Sequence, residues 1–142
     1  MFKQTVIWLV LIFLILLNAS FSVTYHVKMD GSDSSVGLSW GTAFLTITKA
    51  MEQVSSGDAV WIAEGVYKEG ATVNVPESVT LYGGFAGTET SLDQRDYINR
   101  KTIIDGENSY RCIISSGTLN GLNITNGKTS AYGAGIRNTE GT

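Results

Sequence analysis

The sequence predicts an all-β fold, a right-handed parallel β-helix or β-solenoid opened by an N-terminal capping helix. Three observations carry that expectation. Short runs of alternating apolar residues end in a turn residue and recur about every twenty positions, roughly one turn of a solenoid. Sixteen glycines stand against a single proline, Pro76, which means many tight turns between short elements. One helical apolar stripe precedes nearly all of those runs.

The 142 residues are 43% hydrophobic and 16% charged, the size of one ordinary domain and too apolar for disorder. The formal net charge is -3. Removing the first 22 residues takes away Lys3 and no acid, so the remainder carries one positive charge fewer. An acidic surface with no basic run beyond Arg100-Lys101 excludes nucleic acid and an anionic membrane as partners. Cys112 is the single cysteine, so an intrachain disulfide framework is excluded. A histidine-based site would have to recruit unlike partners, because His26 is the only histidine.

The chain opens with Lys3, an uncharged run from Thr5 to Leu17, and small residues at Ser20 and Ser22 ahead of Val23. These are the parts of a secretory signal, cleaved before Val23. The apolar run is shorter than the roughly 20 residues of a spanning helix, so no membrane span is expected after cleavage; an uncleaved anchor is the alternative. The chain thus divides into a signal peptide over 1–22 and, over 23–142, the cap and first rungs of a β-helix, secreted or held at the cell surface.

A first strand at Tyr25-His26-Val27 leads through the polar stretch Asp30-Gly31-Ser32-Asp33 to the helix. From Trp40, the positions Ala43, Phe44, Ile47, Ala50, Met51 and Val54 set one apolar stripe on about three helical turns, ended by Ser55-Ser56-Gly57. Four strands follow with a shared pattern: Val60 to Glu64, Val79 to Gly83, Thr102 to Gly106 and Leu122 to Asn126. Their second inward residues, Ile62, Leu81, Ile104 and Ile124, are 19, 23 and 20 positions apart and are expected to stack in one column. A second column runs through Val73-Asn74-Val75, Cys112-Ile113-Ile114 and Ala134-Gly135-Ile136, with Ile114 and Ile136 inward. The helix reads as a cap over the first rung, whose backbone and apolar end are otherwise open. Gly141-Thr142 stops within what reads as another turn, so an incomplete C-terminal end is expected.

Four stretches carry a resemblance: Asp30 to Asp33 with Ser39 to Phe44; Ser56 to Tyr67; Leu81 to Thr90 with Arg95-Asp96; and Gly121 to Gly127 with Gly133 to Asn138. They resemble bacterial secreted proteins with right-handed parallel β-helix repeats, similar in fold to the pectin lyase superfamily and to chlamydial polymorphic outer-membrane proteins. The resemblance implies a capped β-helix. It extends to activity only weakly, because one fold hosts many functions.

Lyases and hydrolases of that resemblance use acid clusters, sometimes with calcium, plus a base on one solvent face. The outward or turn acids here are Glu64, Asp93, Asp96, Asp105 and Glu107, with Arg95 and Arg111 as bases, and none repeats at rung spacing. Asp105-Gly106 is ordinary turn chemistry. Asp30 and Asp33 offer oxygen ligands for calcium but lack the closing Glu of an EF-hand; the alternative is a polar loop, and no other cofactor is indicated. Cys112, inward, reads as a small apolar residue. The segment from Gly83 to Arg100 is longer than a rung turn needs, and long loops often carry function; the resemblance implies instead a structural clasp, pinned by a Glu89–Arg95 ion pair. Trp61 and Tyr82 occupy equivalent outward positions on successive rungs, where they either bind sugar as stacked rings or pack beneath that segment.

Two functions stay open. One is a non-catalytic secreted or cell-surface scaffold for adhesion, display or carbohydrate contact, partnered by polysaccharide or cell-surface proteins. The other is the N-terminal part of a polysaccharide lyase or glycoside hydrolase with its active rungs beyond residue 142.

Overall fold

Runs of β-branched residues broken by glycine and asparagine become short extended segments that must stack to bury one face, and the computed structural model shows how. It describes residues 21–139, so the leader expected over 1–22 lies, but for its last two residues, outside the described part. Among the described residues the strands are β1 (Thr24–Val27), β2 (Ala59–Ala63), β3 (Gly65–Tyr67), β4 (Val73–Val75), β5 (Thr80–Phe85), β6 (Thr102–Asp105), β7 (Ile113–Ser115), β8 (Thr118–Asn120), β9 (Leu122–Thr125) and β10 (Ile136–Asn138). They form three sheets ordered β1-β2-β5-β8, β3-β6-β9 and β4-β7-β10, and every pairing is parallel.

The chain therefore visits the three sheets in turn and then repeats, which is a parallel β-helix with three strands to a full rung. β2, β3 and β4 make one rung, β5, β6 and β7 the next, and β8, β9 and β10 the last described. The interior holds Val27, Val60, Ile62, Tyr67, Val73, Leu81, Ile104 and Ile113, each at most 2% exposed. Each such side chain contributes about 1.5–3 kcal/mol relative to an exposed one. No single rung could collect enough of them alone.

Three details of the sequence reading are corrected. The single column of Ile62, Leu81, Ile104 and Ile124 splits between two sheets. Leu81 lies opposite Val60 and Leu119, whereas Ile104 lies between Tyr67 and Ile124. A rung with three faces places similar motifs on different walls, so equal spacing does not mean one column. In the second column the inward residue is Ile113, fully buried, between Val73 and Ile136, and Ile114 points outward opposite Asn74 and Arg137. The reason is that Cys112 precedes the strand and turns inward from the corner, its Sγ–H donating to Thr125 O at 3.3 Å. Alternation begins only at Ile113.

The third correction is the helix. In place of three turns from Trp40, a 3-10 turn spans Trp40–Thr42 and a helix, α1, spans Ile47–Met51. Between them Phe44 is extended and bridges Val27 in parallel, because a buried ring beside the first strand is worth more than continuing a short helix. The cap role stands: Ile47 and Ala50 are fully buried in the cluster that contains Val27, Val60 and Val73.

A five-residue helix is marginal on propensity, and its start is held from outside. The Asp33 carboxylate accepts from the N–H groups of Leu45 (2.9 Å) and Thr46 (3.0 Å) and from the Thr46 hydroxyl (2.9 Å). Glu69, from the corner after β3, accepts from the N–H groups of Ile47 (3.0 Å) and Thr48 (2.9 Å) and from the Thr48 hydroxyl (2.6 Å). Thr46 Oγ1 accepts from Lys49 N–H at 3.1 Å. The unpaired donors that open any helix are thus met by two acids on separate segments, which tie the cap to the coil.

Candidate functional site

The outward face of the four-stranded sheet carries a ladder. In register across it stand His26, Trp61, Tyr82 and Asn120, one from each of β1, β2, β5 and β8. Beside them run Thr24, Ala59, Thr80 and Thr118. Side chains in register on parallel strands lie close enough to act together, so this row is where a repeating solvent face is most ordered.

The structure gives Trp61 and Tyr82 different partners. Pairing between β2 and β5 shifts after Trp61, so that Ala63 lies opposite Phe85. The shift brings the Phe85 ring parallel to Trp61, centroids 4.8 Å apart and planes at 13°. Tyr82 lies beneath Arg95, whose Cζ is 5.1 Å from the ring centroid and equally far from that of Tyr97. Arg95 also donates to Gly83 O (3.3 Å) and to Asn120 Oδ1 (2.7 Å). Tyr82 is therefore covered by Arg95 of the 86–101 segment, Asn120 stays exposed, and the upper half of the ladder meets the cap, with His26 buried there.

In that upper half, His26 meets Trp61 edge-on at 5.5 Å and Trp40 edge-on at 4.6 Å. Trp40 comes from the 3-10 turn of the cap and donates Nε1–H to Glu89 O at 2.9 Å, joining the cap to the long segment. Thr24, His26, Ser39, Trp40, Trp61 and Thr88 line a cleft of about 590 Å³. Two indoles, one imidazole and several hydroxyls face it. Burial lowers the His26 imidazole below its ordinary value, against a smaller opposing effect of its hydrogen bond to Gly37 O, so the ring is neutral at neutral pH. The cleft thus combines flat apolar surface with hydroxyls, and the acidic Glu89 also lines it.

The clasp is pinned differently from the expected Glu89–Arg95 pair. The Glu89 carboxylate accepts from the N–H groups of Ala86 (2.6 Å), Gly87 (3.0 Å) and Thr88 (3.0 Å). Burial pushes this carboxyl up, but the surrounding N–H groups of Ala86, Thr88, Glu89 and Gly87 outweigh it and hold the group below the ordinary range. Arg100 pairs with Glu64 at the far end of the segment. Gly84 sits at φ +93°, where an added Cβ would lie 2.4 Å from Tyr97 Cα; only glycine lets the segment return so closely over β5.

The remaining candidates have local work. Asp33 spends both oxygens on the helix cap, and Asp30, 82% exposed at its side chain, pairs with Lys28. Asp105 accepts from Glu107 N–H (2.8 Å) and Asn126 Nδ2–H (3.0 Å), which hold its carboxyl low in that order of effect. Asp96 caps the turn at Asn99, Glu107 pairs with Lys68, and Arg111 donates to the carbonyls of Gly133 and Tyr132. Burial pushes the Cys112 thiol up, the wrong direction for a nucleophile. Among the described residues no three His, Cys, Asp or Glu side chains gather as metal ligands would. Alternation marks Trp61 as outward, whereas Trp40 stands at the start of the helical stripe and His26 within a strand pattern. What joins them is the turn at residues 37–44, which no periodicity announces.

No curated protein and no solved structure matches the chain. A family model described as a protein of unknown function (DUF1565) matches residues 29–141. That span takes in the cap, the clasp and every strand but the first, and on it the chain belongs to the DUF1565 family.

Proposed function

We propose that this protein is an exported, non-catalytic β-helix scaffold that contacts carbohydrate through the cleft between cap and clasp. The observation that carries the reading is the pair Trp40 and Trp61 facing one open cleft with the hydroxyls of Thr24, Ser39 and Thr88. Sugar rings present apolar C–H faces and a rim of hydroxyls, and aromatic faces with neutral hydrogen-bonding groups complement both. Neutral rather than anionic sugars suit a cleft whose histidine is uncharged and whose chain is acidic overall. Tyr82, covered by Arg95, supports the ladder rather than the ligand.

Export is supported by the leader-like opening, and an extracellular role by the likeness to secreted β-helix proteins, including those of pectin lyase type and of chlamydial outer membranes. The test is titration of neutral and acidic oligosaccharides, read by tryptophan fluorescence and calorimetry. Binding of a neutral oligosaccharide that weakens tenfold or more in Trp61→Ala, with the fold intact by circular dichroism, supports the reading. Absence of binding at millimolar sugar, or binding indifferent to Trp61→Ala, overturns it. New reducing ends appearing during the titration would instead favour a glycoside-cleaving enzyme.

A further inference from the structure

Asp58 stands at the entry to β2 and is 5% exposed. Its Oδ1 accepts from Val23 N–H at 2.8 Å and its Oδ2 from Ser55 N–H at 2.7 Å. Both donors are neutral amides. The ion pairs among the described residues are Lys28–Asp30, Lys49–Glu52, Lys68–Glu107 and Arg100–Glu64, and Asp58 belongs to none of them. A carboxylate this buried is normally matched by a cation, and among the described residues no side chain supplies one.

Val23 is also where the coil takes hold of the chain. Its carbonyl accepts from Ala59 N–H at 2.9 Å, the first rung of parallel pairing. The preceding Ser22 is exposed and touches the coil through its hydroxyl, which donates to Gly57 O at 2.7 Å. The small residues Ser20 and Ser22 set the expected cut between Ser22 and Val23, directly at the nitrogen that faces Asp58.

We propose that Ser22–Val23 is the bond cut on export and that the α-ammonium released at Val23 is the missing counter-charge of Asp58. A signal-type peptidase adds water across the amide. The hydroxyl goes to the carbonyl carbon of Ser22 and a hydrogen to the nitrogen of Val23, which takes one more proton from solvent at neutral pH. The neutral N–H at 2.8 Å becomes a charged donor in the same place. Processing thereby converts a buried, unmatched carboxylate into half of an ion pair that staples the first strand to the second.

The experiment starts with the chain exported through its own leader, its N-terminus read by intact mass and Edman chemistry. A start at Val23 is expected, and a different mature start overturns the assignment. On the Val23-start protein, 15N NMR titration of the α-amino group should give a pKa raised by about one unit or more, as an opposite charge within hydrogen-bond reach requires, above the ordinary value of about 7.7–8.0. Asp58→Asn should return it to the ordinary range. An α-amino group of the unaltered protein that titrates in the ordinary range overturns the pair, and that measurement stands even where Asp58→Asn does not fold.

Discussion

Replacing Ile113 and Ile114 by alanine, one at a time, separates the register seen in the structure from the one read off the pattern. Ile113 is fully buried between Val73 and Ile136; Ile114 is half-buried and faces outward beside Asn74 and Arg137. Truncation to alanine removes three carbons, worth about 0.8 kcal/mol each when fully withdrawn from water, or about 2.4 kcal/mol. The closed space left at Ile113 adds a cavity cost, bringing Ile113→Ala to about 3–4 kcal/mol, within the usual 2–5 for such changes. At Ile114 about half the transfer applies and solvent fills the gap, so Ile114→Ala costs about 1 kcal/mol. Urea unfolding followed by tryptophan fluorescence, with equal slopes checked for both variants, reads the difference directly. Equal costs, or a larger cost at Ile114, would refute the inward assignment of Ile113 and with it the three-walled packing of this corner.

Two further outcomes are expected. Glu69→Ala removes three accepted hydrogen bonds from the opening turn of α1; loss of a helix cap costs about 1–2 kcal/mol, so thermal unfolding should move down by several degrees while Glu77→Ala, on an exposed corner, leaves it unchanged. The second concerns acid. Glu89, held low by the backbone N–H groups that outweigh its burial, stabilises the folded chain above its ordinary pKa of about 4.3, and that contribution disappears as pH falls through the lower folded value. The melting temperature should therefore drop below about pH 4, and Glu89→Gln should flatten that drop; an unchanged profile in Glu89→Gln would remove the clasp nest from the account.

The parallel β-helix and its early cap could be read from residues alone, because alternation, glycine turns and a twenty-residue recurrence are local signals; the clasp followed only from the resemblance. The three walls could not. Gly65-Val66-Tyr67 and Thr118-Leu119-Asn120 become β3 and β8, but three residues are too few for a period to appear, so whole strands went unseen and two walls merged into one. Tertiary acids were missed for a related reason. Glu69 and Asp58 look like surface residues in sequence and acquire their work only when distant N–H groups arrive beside them. At the candidate site Trp61 was visible as an outward aromatic, whereas its contact with Phe85 depends on a slip in strand pairing that no residue type announces.

The corners of the coil differ greatly in length while the walls stay in register. Between the first and second walls the chain spends Glu64 alone in one rung, residues 86–101 in the next and Gly121 alone in the last described. Parallel pairing constrains each strand only by its neighbours above and below, so chain inserted at a corner lifts off the stack without moving it. A corner is therefore the place where this architecture can gain or lose whole segments at little cost to stability. Variation in length would be expected to collect along that one seam, where the clasp already meets the cap through Trp40 and Glu89.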